Sequence, residues 1–185
     1  MYETSEIRRG LKIELEGDVY MVVDFQHVNP GNWRAFIRTK LKSLSKGNVI
    51  ERTFRSGEKL GRPDLEEKKM QFLYGSGDQY CFMDKESYEQ TFLTDEHLGA
   101  NKAFIKENAT ISVLMHKGVP IAVDIPTFVE LSIVQTEPGA RGDTVSGGSK
   151  PATLETGAII QVPLFLNQGD VVKVDTRTGT YVERV

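Results

Sequence analysis

The chain reads as all-β, built from small barrels, and three observations carry that prediction. Apolar and polar residues alternate with period two in short runs. The runs are separated by Gly, Pro, Asn and Asp clusters that punctuate the backbone. The length of 185 residues is long for one small barrel and suits two or three.

The elements follow in order. Leu11-Lys12-Ile13-Glu14-Leu15-Glu16 alternates strictly. Glu16-Gly17-Asp18 is a turn, and residues 19–28 form a second strand. Asn29-Pro30-Gly31-Asn32 breaks it, with Pro at the second and Gly at the third position of a type II turn. Residues 33–41 resume period two. Trp33, Ala35, Ile37, Thr39 and Leu41 take one face; Arg34, Phe36, Arg38, Lys40 and Lys42 take the other. Residues 48–54 make another strand. The stretch SGEKLGRPDLEE, residues 56–67, is polar and rich in Gly, Pro and charge, and reads as the first domain boundary or a long surface loop.

The next block repeats the pattern. Residues 71–74 and 79–83 flank the hairpin signal Gly75-Ser76-Gly77-Asp78. Residues 86–93 fit no single pattern, and residues 102–107 suit a short helix. Residues 110–116 and 119–124 make a hairpin around Lys117-Gly118. Ile125-Pro126 punctuates, and residues 128–134 open a third β-rich block. The resulting division is 1–64, 65–127 and 128–185.

Composition narrows the function classes. Hydrophobic residues are 39% and charged residues 26%, ordinary for a globular protein. No apolar run reaches the roughly 18 residues of a membrane span. The N-terminus shows no hydrophobic secretory segment. Cys81 is the only cysteine, so the chain makes no internal disulfide and the expected compartment is the cytoplasm. Cys81 sits in the strand-like Tyr80-Cys81-Phe82-Met83 and reads as a small buried hydrophobe. His27, His97 and His116 are isolated surface or strand-edge residues without metal-ligand spacing, so no metal or cofactor is expected.

Net charge is −3 but uneven. Residues 1–64 hold 12 Lys/Arg against 9 Asp/Glu, residues 65–127 hold 6 against 10, and residues 128–185 hold 5 against 7. The N-terminal end is the one suited to phosphate. Its best feature is the row Arg34, Arg38, Lys40 and Lys42, with Phe36 among them. Same-face residues of a strand lie about 7 Å apart, near the spacing of successive phosphates, and an interleaved aromatic can stack on a base. The alternative is the solvated face of a half-buried hairpin. The glycine-rich segment 138–151 offers close backbone approach and the point charge of Lys150; the alternative is a surface loop between strands. It is not a phosphate loop, because Gly148 stands where the Lys must be and Pro151 discourages a following helix.

The last third, from Gly142, places Lys150, Ala152, Gly157, Ile160, Val162, Pro163, Leu166 and Gly169 at a spacing that resembles the C-terminal signature of bacterial elongation factor P. The resemblance spans the chain. Arg9-Gly10-Leu11-Lys12-Ile13 is similar to the family's opening strand. Phe25-Gln26-His27-Val28-Asn29-Pro30-Gly31 leads to its hairpin tip, and Ala35-Phe36 leads away. Phe128-Val129-Glu130-Leu131, Gly142-Asp143-Thr144, Gly148-Ser149-Lys150-Pro151-Ala152-Thr153-Leu154, Val174-Asp175-Thr176-Arg177 and Tyr181-Val182-Glu183-Arg184-Val185 match the third domain.

That resemblance implies an L-shaped, tRNA-like arrangement of an SH3-like (KOW-like) barrel followed by two OB folds. It implies a non-enzymatic factor, monomeric and cytoplasmic, that binds the 70S ribosome between P and E sites and stimulates peptide-bond formation at consecutive prolines. Pro30, Gly31, Asn32, Trp33 and Arg34 would face the CCA end of peptidyl-tRNA (prolyl-tRNA). Arg38, Lys40 and Lys42 would touch tRNA or ribosomal RNA backbone. Gly142, Asp143, Thr144 and Lys150 would lie near the E-site mRNA codon and small subunit, and Tyr181 and Arg184 would add C-terminal RNA contacts. One departure stands out. Many members carry a modified lysine or arginine at the tip, where this chain has Asn32, which has no amine to acylate. A factor that binds ribosomes or RNA without rescuing proline stalls is the second reading.

Overall fold

The computed structural model describes residues 1–139 and 147–185. The chain divides into two compact units, residues 1–67 with 114–122 and residues 68–113 with 123–185.

The first unit opens with β1 (Tyr2–Glu3), a 3₁₀ turn at Thr4–Glu6, β2 (Lys12–Leu15), β3 (Asp18–Val28), β4 (Phe36–Ser43), β5 (Val49–Arg55) and β6 (Lys59–Leu60). β2, β3, β4 and β5 form an antiparallel meander in that order, and β1 pairs with β6. The alternation expected of β4 is realised. Ile37, Thr39, Leu41 and Ser43 are buried, while Arg38, Lys40 and Lys42 are exposed. Ile7, Leu11, Ile13, Val22, Ile37, Leu41, Phe54 and Leu60 form the core. At its rim, Ser43 Oγ and Ser45 Oγ donate to Asp18 at 2.7 and 2.8 Å. Burial pushes the Asp18 carboxyl up, but those two hydroxyls and the Val19 N–H together hold it below the usual range.

The polar segment 56–67 contains β6 and runs into the first residues of β7 (Leu65–Ser76). β8 (Gln79–Asp84), β9 (Gln90–Thr94), β10 (Thr110–His116) and β11 (Val119–Asp124) complete a five-stranded sheet of order β11-β10-β7-β8-β9. Both expected hairpins are present. Cys81 is 1% exposed, the buried hydrophobe expected, and its Sγ lies 3.6 Å from Gln90 Oε1. The short helix lies earlier than expected. α1 spans Asp95–Leu98, and a 3₁₀ segment covers Gly99–Phe104. The reason is the start signal: Thr94 N donates to His97 Nδ1 at 3.0 Å, closing a capping box. His97 is therefore a capping group. His116 departs further from expectation. It is buried, and its Nε2 lies 3.6 Å from Glu14 Oε2. Only His27 is the exposed residue foreseen.

In the second unit β12 (Phe128–Thr136), β13 (Ser149–Leu154), β14 (Ile159–Pro163), β15 (Val171–Asp175) and β16 (Thr180–Arg184) form a sheet of order β14-β13-β12-β15-β16. Leu131, Ile133, Ala152, Leu154, Ile160, Val162, Leu166, Val172 and Val174 fill its core. The two sheets, five strands each, fit the five-stranded Greek-key pattern of OB-type barrels.

Candidate nucleic-acid interface

The β3–β4 hairpin pairs from Tyr20↔Ser43 out to Val28↔Phe36. That leaves Asn29 to Ala35 as its tip. Asn32 N donates to Pro30 O at 2.8 Å, and Gly31 has φ +69°. The positive φ at Gly31 is as expected. The turn is tighter than type II, because the bond spans three residues rather than four; this is γ-turn geometry. An L side chain at position 31 would be strained. Pro30, Gly31, Asn32, Trp33 and Arg34 are all exposed. Trp33 is 81% exposed, so it does not brace the hairpin. Neither Trp33 nor Arg34 belongs to β4, which starts at Phe36; the turn takes up the residues that the period-two pattern assigned to strand.

Below the tip, register decides the electrostatics. Arg38 stands between Gln26 and Thr53, Lys40 between Asp24 and Glu51, and Lys42 between Met21 and Val49. The row of cations is therefore interrupted at its centre by two carboxylates. Arg9 Nη2 also reaches Asp24 Oδ1 at 2.9 Å. The Arg9 hydrogen bond first, then the Phe25 N–H and the charge of Lys40, hold the Asp24 carboxyl below its usual range. A shallow depression of about 350 Å³ on this sheet is lined by Asp24, Arg38, Lys40, Glu51 and Arg52 among others. Arg38 lies over the Phe36 ring at 5.5 Å, so that half-buried ring is already engaged by its own neighbour. Arg38 and Lys42, by contrast, face no carboxylate on either neighbouring strand.

The C-terminal candidates separate. Gly142, Asp143 and Thr144 lie outside the described residues. Lys150 is not a surface cation: it is 6% exposed and its Nζ donates to the Glu137 carbonyl. The cause is period two, since Lys150, Ala152 and Leu154 all point into the core side of β13. With Thr136 Oγ1 donating to Pro151 O at 2.9 Å, Lys150 ties together the chain on either side of the glycine-rich segment. That is a structural place, and Lys150 leaves the set of RNA contacts. Tyr181 is half-buried, one side packed on the C-terminal core. Arg184 is exposed, 5.8 Å from the Phe165 ring. The carboxylates at Asp24 and Glu51 had no signal in the sequence, being distant in the chain from Lys40. The burial of Lys150 did have one, in the alternation of residues 149–154.

Comparison with known proteins agrees across the chain. Residues 3–60 match the elongation factor P KOW-like domain, 65–123 its OB domain, and 129–184 the elongation factor P C-terminal domain. The chain is 56% identical over 185 residues to elongation factor P of Natranaerobius thermophilus, covering 100% of this chain and 98% of that one. This chain belongs to the elongation factor P family. Elongation factor P of Pelotomaculum thermopropionicum is 52% identical, with 100% of both chains covered. As an elongation factor P family member, the protein is a translation elongation factor and works with the ribosome. Among solved structures, eukaryotic translation initiation factor 5A from Methanococcus jannaschii superposes with TM-score 0.54 at 19% identity, over 66% of this chain and 92% of that one. That likeness supports the barrel fold of this elongation factor P family member.

Proposed function

We propose that this protein binds the ribosome between P and E sites, contacts peptidyl-tRNA through its hairpin tip, and accelerates peptide-bond formation at consecutive prolines without itself making a covalent bond. The observation that supports this best is the exposed Pro30-Gly31-Asn32-Trp33-Arg34 tip on a long paired hairpin in an elongation factor P family member. A rigid tip placed against a CCA end would act by entropy. It restrains the prolyl ester in an attack-ready geometry, and the ribosome performs the transfer. Asn32 offers no amine for acylation, so the tip works unmodified. The turn at Gly31 supplies stiffness, and Trp33 and Arg34 supply the stacking surface and the charge. Arg38 and Lys42 hold RNA backbone, with Lys40 secondary. Asp143 and Thr144 lie toward the small subunit and E-site codon, and the functional domains divide at 1–64, 65–127 and 128–185.

Translation of a Pro-Pro-Pro template with unmodified recombinant protein is the test. Relief of the stall is expected. Ribosome binding without relief favours the second reading, of a family member that has left proline rescue, which Asn32 at the tip supports. Intact-mass measurement of native protein should show no addition on Asn32 or Arg34.

A further inference from the structure

We infer that Arg8, Lys12 and Arg62 form a second phosphate-binding site on the first unit, one that takes an RNA sugar–phosphate backbone running on to Lys42 of the hairpin face. The inference rests on the reading that this chain works on RNA, and it adds a contact that the hairpin motifs did not indicate.

The three cations line a cleft of about 290 Å³ whose walls include Tyr2, Leu11 and Leu65. No carboxylate among the described residues lines it. None of the three forms an ion pair among the described residues, whereas the adjacent Arg9 is taken by Asp24. The hairpin depression, by contrast, mixes cations with Asp24 and Glu51.

Backbone hydrogen bonds fix all three positions. Leu11 N donates to Arg8 O at 3.1 Å, closing a turn with Gly10 at φ +88°. Gly10 N donates to Val22 O and Val22 N to Leu11 O at 2.8 and 2.9 Å, clamping that turn to β3. Lys12 belongs to β2 and pairs with Met21. Arg62 follows Gly61, whose carbonyl accepts from Glu14 N at 2.9 Å. A Cβ at position 61 would sit 2.6 Å from Glu14 O, so only glycine allows this approach. The Arg62 guanidinium lies 5.8 Å from the Tyr2 ring, which orients the fork over an aromatic face.

Three like charges held together repel one another unless an anion neutralises them. Two guanidinium forks match the two non-bridging oxygens of a phosphodiester. Register supplies the direction of the strand that would carry those phosphates. Lys12 faces Met21 and Met21 faces Lys42, so Lys12 and Lys42 share one sheet face, about 10 Å apart at two strand spacings. The run of unopposed cations ends at Lys42, because Asp24 and Glu51 flank Lys40 beyond it. The cations therefore form a track rather than a single point, and a polymer of phosphates fits a track better than a free anion does.

The test uses the full chain with a short RNA duplex, read by amide chemical shifts and by the salt dependence of binding. The expected result is a shift at Gly10 and Leu11 on adding RNA, and a salt slope that falls by roughly 1.4–1.8 in Arg8→Gln/Arg62→Gln, two phosphate contacts at about 0.7–0.9 each. Arg8→Lys/Arg62→Lys should keep most of that slope, separating charge from fold. Unmoved Gly10 and Leu11 amides, or an unchanged slope in the Gln variant, would overturn the inference whatever the Pro-Pro-Pro assay gives. Saturation of those amides by inorganic phosphate, with no further response to RNA, would overturn it in favour of a small-anion site. A failure of stall relief with an intact RNA response would count against the proposed function alone.

Discussion

Replacing Trp33 with Ala separates a recognition role from a structural one. The ring is 81% exposed, so its removal takes almost nothing from the core, and the change in folding free energy should stay within about 0.5 kcal/mol. If the ring stacks on a nucleotide at the CCA end, its loss should cost about 1–3 kcal/mol. At about 1.4 kcal/mol per decade, that weakens binding by about 5- to 140-fold. Trp33 is also the single tryptophan of the chain, which makes it its own reporter. Binding to ribosomes carrying prolyl peptidyl-tRNA should quench its fluorescence, and Trp33→Phe should retain most of the affinity because a flat ring remains. Equilibrium binding and thermal melting of the Ala variant decide the matter together. Unchanged affinity, or a fall of several degrees in Tm, would refute the reasoning.

Arg38→Gln/Lys42→Gln should remove two phosphate contacts, so that raising salt about fourfold, from about 50 to 200 mM, costs the variant about 7- to 12-fold less affinity than it costs the parent; Lys40→Gln should do less than either single change, because Asp24 and Glu51 already face Lys40. Lys150→Gln should destabilise by about 1.5–3 kcal/mol in urea unfolding through loss of a charged hydrogen bond, with no change in the salt slope of ribosome binding. Ser43→Ala should cost about 1 kcal/mol near neutral pH. Asp18 has a depressed carboxyl in the fold, so the stability tied to its charge is present above the ordinary aspartate range and is lost as pH falls through the folded value; the Ser43→Ala deficit should shrink between pH 7 and pH 3, and an equal deficit at both would show that Asp18 is not its origin. Gly31→Val should reduce stall relief by straining the positive-φ turn, with full activity showing that tip stiffness is irrelevant.

Strands and most of the turns follow from local residue order. Period two in Phe36–Ser43 fixes which side chains enter the core, because a strand turns successive residues to opposite faces. Gly31 announces its positive φ for a similarly local reason. The hairpin tip and the exposed cations Arg38, Lys40 and Lys42 are therefore legible in the residue pattern alone. Charge pairing is not. Lys40 meets Asp24 and Glu51 only because β3 and β5 lie at a particular register on either side of β4, and register depends on the whole barrel closing over its core. The same dependence brings Arg8 and Arg62 into one cleft, with Lys12 in line with Lys42. Lys150 shows the opposite error. Its alternation with Ala152 and Leu154 is visible in the sequence, yet its charge argues for the surface. Tertiary structure resolves the conflict by placing the Glu137 carbonyl where a buried ammonium can donate to it, and burial of a charge is tolerated only when such a partner is built.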